Sequence, residues 1–77
     1  MRKGKYKIVI TRHAFVRAMQ RHIHPDFVED TLQSGKMKKF GKNRVKFEKR
    51  FKQFTVICVD EITGNRIKIA TIEKRRR

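Results

Sequence analysis

Between Ile10 and His24 the chain concentrates three histidines and three arginines. His13, Arg17, Gln20 and His24 recur at i, i+4, i+7 and i+11, the spacing of a single helical stripe, and Arg21 flanks it. An imidazole titrates near neutrality and serves as a base or an acid. A guanidinium one turn away can meet the same phosphate. RNA cleavage without a metal requires a base for the 2′-hydroxyl proton, an acid for the leaving oxygen and cations for the charge that grows on phosphorus. His13, Arg17 and Arg21 offer those groups. His13 stands in the first turn of that stripe, where the helix dipole favours a bound anion. The solvated side of an ordinary amphipathic helix carries the same residue types.

The stripe needs a helix to hold it. Tyr6–Ile10 alternates as a strand, and Thr11 stands where an N-cap is needed. A helix then runs to about His22, with Ala14, Phe15, Ala18, Met19, His22 and Ile23 on its core side. Phe15→Ala is therefore expected to cost about 3–5 kcal/mol. His24-Pro25 opens a second helix with His24 as its cap. Asp26, Glu29 and Asp30 suit the positive end of its dipole. Phe27, Val28, Thr31 and Leu32 form its apolar stripe, and Gly35 is expected to end it in the left-handed region.

After Gly35 the period changes to two. Lys36–Phe40 is a weak strand and Gly41-Lys42-Asn43 a turn. Arg44–Phe51 sets Val45, Phe47 and Phe51 against Arg44, Lys46, Glu48 and Arg50. Lys52-Gln53 reverses the chain. Phe54–Val59 is apolar on both faces, as a central strand should be. Thr63-Gly64-Asn65 is a hairpin turn before a last strand, Arg66–Glu73. Lys74–Arg77 reads as a basic tail. The order β-α-α-β-β-β-β predicts an α+β domain, a two-helix hairpin packed on one face of an antiparallel β-meander. Nothing suggests a linker or a repeat, so residues 1–77 form one domain.

Lysine and arginine outnumber acids by 22 to 7, a net charge of +15, which calls for a polyanionic partner, most often nucleic acid. A lysine-rich thermophile surface would carry glutamate in similar amounts. The single cysteine, Cys58, excludes an internal disulfide and suits a small buried hydrophobe in a cytoplasmic protein. No apolar run approaches a membrane span. The histidines lack the cysteine or acid partners of a metal pattern, so no metal or cofactor is expected.

Thr11-x-His13-Ala14-x-x-Arg17-x-x-x-Arg21, followed by Ile23, Phe27-Val28 and Gly35, resembles a family of small domains that open Ser/Thr-x-His-Ala-x-x-Arg-Met-x-x-Arg. That family looks related to the RelE-like and BrnT-like toxins, small basic ribonucleases of toxin–antitoxin systems. The resemblance covers Ile10 to Glu73 and departs from the motif at Ala18, where methionine is usual; Met19 follows. The sole tyrosine, Tyr6, is not the C-terminal catalytic tyrosine of some RelE-like toxins. The resemblance implies an endoribonuclease with His13, Arg17 and Arg21 in its site, acting on RNA alone or at the ribosome, and an acidic antitoxin partner. Glu48 is a second candidate base, or else an ion-pair partner for a cross-strand lysine. Arg44, Lys46 and Arg50, with Lys74, Arg75, Arg76 and Arg77, are candidate nucleic-acid contacts. Two other readings fit the residues: a binding module for RNA or DNA without catalysis, and a protein whose charge serves docking to an acidic partner.

Overall fold

The computed structural model describes residues 2–76. Two helices lie on one face of a six-stranded sheet. In chain order the elements are β1 (Arg2–Lys3), β2 (Tyr6–Ile10), α1 (Arg12–Gln20), α2 (Pro25–Ser34), β3 (Lys36–Phe40), β4 (Arg44–Arg50), β5 (Phe54–Thr63) and β6 (Arg66–Arg76). The spatial order is β1-β2-β6-β5-β4-β3. Strands β3 to β6 form the expected antiparallel meander, and β5 lies in its interior.

The sheet as a whole is mixed, not antiparallel, because β2 pairs with β6 in parallel. Connectivity dictates this. The helical hairpin delivers β3 running opposite to β2, and three further reversals bring β6 back to the direction of β2. Residues 2–3 pair with Lys7 and Tyr6 as a short edge strand. The basic tail is likewise ordered: Lys74, Arg75 and Arg76 continue β6 opposite Val56, Thr55 and Phe54, whereas Arg77 lies outside the described residues.

Apolar positions on one sheet face meet the helices. Ile8, Val45, Phe47, Val56, Cys58, Ile67, Ile69 and Ile72 pack with Ala14, Ala18, Ile23, Val28 and Leu32 in one core. The strict alternation of β6 breaks after Ile69, since Ile72 is the next buried residue. A register shift opposite Val59/Asp60 leaves Ala70 unpaired, a bulge that turns Ile72 back to the core.

Helix α1 buries only its small residues. Ala14 and Ala18 sit against β6, while Phe15 stays 47% and Met19 51% exposed. The nine-residue helix is drawn close to the sheet by two bonds, and its larger apolar side chains overflow the contact. The Thr11 hydroxyl accepts from the Ala14 amide at 3.1 Å, as an N-cap should, and donates to the Ile69 carbonyl at 3.0 Å. The Arg21 guanidinium donates to the Ile72 carbonyl at 2.9 Å. Both acceptors lie at or past the point where β2 stops pairing with β6. Phe15 and Met19 instead wall a small groove of about 120 Å³ with Ile10, Ile23, Pro25 and Val28. The core role expected of Phe15 is thus corrected, and Phe15→Ala costs less than a core truncation.

His22 is not the half-buried core histidine that periodicity suggests. It is exposed, at φ 58°, just past the end of α1. The His22 amide donates to the Met19 carbonyl at 3.1 Å and the Ile23 amide to the Ala18 carbonyl at 2.9 Å, the two bonds of a Schellman motif. Ile23 closes it against Ala18 in the core. Gly35, expected in that left-handed role, is extended at φ −73°. It is required for a different reason: a Cβ there would collide with the carbonyl oxygens of Thr31 and Glu48.

The two positions respond oppositely to substitution. His22→Gly relieves a left-handed residue and should stabilise the domain by about 1 kcal/mol. Gly35→Ala forces α2 and β4 apart and should destabilise it by about 1–3 kcal/mol or more. Urea unfolding of the two variants beside the parent measures both.

Candidate nucleic-acid interface

The sheet face away from the helices is strongly basic. Alternation and register place its residues in cross-strand rows. Arg50, Thr55 and Arg75 form one row, and Lys36, Glu48, Ile57 and Glu73 the next. Lys38, Lys46, Val59 and Thr71 follow, then Phe40, Arg44, Glu61, Lys68 and Val9. With Lys7 and Arg66, which also pair on this side, nine cations face three acids, Glu48, Glu61 and Glu73. Ile57 is buried here, outside the main core, between Glu48 and Glu73.

At one end of this face a cleft of about 640 Å³ curves around the sheet to the end of α2. Lys36, Glu48, Arg50, Thr55, Arg75 and Arg76 line it, with Ser34, Gly35 and Lys49 at its rim. The rim is braced. The Lys49 ammonium bonds the Asp30 carboxylate at 2.8 Å and the Ser34 hydroxyl at 2.7 Å. Those bonds hold the Asp30 carboxyl below its ordinary value, the one from Lys49 foremost. Arg50 and Arg75 flank Thr55 on adjacent strands, so their Cα atoms stand roughly 10 Å apart. Two guanidiniums on long stems at that separation can close on one phosphate, with the threonine hydroxyl between them.

The candidate catalytic residues divide between two places. His13 and Arg17 are exposed on α1, one turn apart as their spacing requires. Arg21 is partly buried and engaged with the Ile72 carbonyl, a structural bond. His24 caps α2, its Nδ1 accepting from the Asp26 amide at 3.1 Å. Glu48 stands on the opposite side of the sheet from α1, 3.7 Å from Lys46 in an exposed ion pair of little energetic weight. Glu48 is therefore not brought to His13, but it does share a cleft with Arg50, Arg75 and Arg76. Of the candidate phosphate contacts, Arg44, Lys46, Arg50 and Arg75 lie on the open face. Lys74 instead turns over the Phe54 ring at 5.2 Å.

Sequence reasoning passed over Lys36, Lys38, Lys7, Arg66, Lys68 and Thr55, which complete the basic face. The signal was present for Lys7, Arg66 and Lys68, each in the phase opposite to the isoleucines of its strand, but not for Lys36, Lys38 or Thr55, whose strands do not alternate cleanly. Among the described residues no group of three or more histidine, cysteine or acidic side chains could hold a metal ion, and no helix is long and apolar enough to cross a membrane. No family model, curated protein or solved structure matches the chain.

One acid sits apart from all of this. Asp60 is 1% exposed on the core face, at the register shift, between Val45 and Ile69. Neither of its oxygens has a hydrogen-bond partner among the described residues. Burial pushes its carboxyl from the ordinary 3.8 up to about 8. Burial, with Asp60 nearby, pushes the Cys58 thiol up to about 12.

The pH dependence follows in sign. Between about pH 4 and pH 8 the unfolded chain has released the Asp60 proton that the folded domain retains. Stability is fully present below that window and falls through it by about 1.4 kcal/mol per pH unit at most. Asp60→Asn should flatten the decline and leave the domain more stable than the parent at pH 8. Urea melts at pH 5 and pH 8 give the comparison.

Proposed function

We propose that this chain is an RNA-binding domain that grips the phosphates of a single strand with the open face of its sheet, in the manner of the small basic RelE-like toxins. The observation that carries this reading is the segregation of charge. Nine cations against three acids occupy one face of a sheet whose other face is buried under helices. Such a surface neutralises a polyanion without reading its sequence. An extended strand suits it, because the rows repeat about every 7 Å along the sheet and supply successive cations. The cleft at Arg50, Thr55 and Arg75 offers two guanidiniums and a hydroxyl to one phosphate.

Cleavage is the second reading, favoured by the placement of Glu48. A carboxylate within the arginine-lined cleft supplies a base for a 2′-hydroxyl beside groups that stabilise charge on phosphorus. In this reading the chemistry lies with Glu48, Arg50 and Arg75, on the face opposite to His13 and Arg17.

Fluorescence anisotropy with a labelled single-stranded RNA tests the binding. Affinity should fall steeply with salt, with a log–log slope of about −0.7 per phosphate neutralised. Arg50→Gln combined with Arg75→Gln should make that slope shallower by about 1.4. An affinity indifferent to salt rejects the reading.

Cleavage kinetics in EDTA test the second. Glu48→Gln should reduce any cleavage by about 10²-fold or more while leaving RNA affinity intact. Loss on His13→Ala or Arg17→Ala instead, with Glu48→Gln unaffected, moves the chemistry to α1.

A further inference from the structure

We propose that the pocket formed by Gln53, Phe54, Lys74 and Arg76 is a nucleobase site, which seats one unstacked base of an RNA strand whose phosphates lie in the adjoining cleft. The proposal rests on the RNA-binding reading above and adds a contact with a base to it. The pocket measures about 400 Å³ and lies where β5 begins and β6 ends. Arg76 lines both this pocket and the phosphate cleft, so the two open side by side. One nucleotide can therefore place its phosphate against Arg76, at the end of the sheet, and its base over Phe54, with the next phosphate in the cleft at Arg75.

The Phe54 ring is held for that task. Phe27 meets it edge-on at 5.1 Å, and Phe51 lies 5.4 Å away, tilted by 31°. Phe27 also meets Phe51 edge-on at 4.9 Å. Three mutually braced rings give an aromatic surface with little freedom left to lose on binding. Phe54 is only half-buried, although a phenylalanine at the end of a core-face row could be covered completely. The Lys74 ammonium stands over the ring at 5.2 Å. A cation over a ring at an exposed site is a weaker contact than a stacked base. An arriving base displaces the lysine, which then pairs with a phosphate. Gln53 is exposed at the rim, and its amide carries both donor and acceptor for the edge of a base. Aromatic ring, amide and two cations match base face, base edge and backbone.

The experiment compares a short labelled oligoadenylate with an abasic oligomer of the same length, by anisotropy at low and moderate salt. The unaltered domain should bind the base-bearing strand about tenfold more tightly or better, with the same salt slope for both. Phe54→Ala should abolish that preference without changing affinity for the abasic strand, and Phe54→Trp should keep it. The comparison on the unaltered domain stands even if Phe54→Ala fails to fold. Equal affinities for the two strands, or a preference that survives Phe54→Ala, overturn the base site and leave the phosphate reading standing. Failure to bind either strand in a salt-dependent way removes the phosphate reading, and the base site with it.

Discussion

Beyond Ile69 the edge of β6 has no neighbouring strand, and the domain is organised around satisfying it. A buried carbonyl left without a donor is costly, and the sheet cannot supply one there. Thr11 and Arg21, at the two ends of α1, donate to the carbonyls of Ile69 and Ile72. These bonds draw α1 close enough for Ala14 and Ala18 to be its contact residues. The apolar phase of the strands decides which sheet face the helices cover. The other face is left open, with lysines and arginines on β2, β3, β4 and β6 flanking a β5 that carries none there.

That arrangement separates two tasks that compete in a chain of 77 residues. A net charge of +15 opposes compaction through self-repulsion. Placing much of it on one face keeps the cations away from the core and brings them close to one another. A bound polyanion relieves their repulsion, and because it prefers the folded surface it stabilises the fold as well. Asp60 is the exception, a buried carboxyl with no hydrogen-bond partner among the described residues.

Local chemistry was legible in the sequence, and pairing was not. Thr11 and His24 act as the caps their positions suggest, and both helices and the strands of the meander begin where periodicity places them, although β5 runs on to Thr63 and β6 to Arg76. The parallel contact of β2 with β6 joins residues about sixty positions apart, and no local pattern announces it. The end of α1 was misread because His22 takes the left-handed position usually given to glycine. What decides that end is Ile23, which must return to Ala18. The bulge at Ala70 was visible in principle, since Ile67, Ile69 and Ile72 change phase. So was the separation of Glu48 from His13. Val45 and Phe47 must face the helices, and strand alternation then turns Glu48 away.

Cys58 sits at the centre of the sheet, opposite Phe47 on one side and Ile72 on the other, with no exposed surface. Its thiol is held protonated far above neutrality, and a protonated thiol neither alkylates nor exchanges at a useful rate. No fluctuation of a loop or a strand edge uncovers it. An oxidant or alkylating reagent reaches that sulfur only in molecules whose central strands have come apart, so Cys58 works as an internal clock for whole-domain opening.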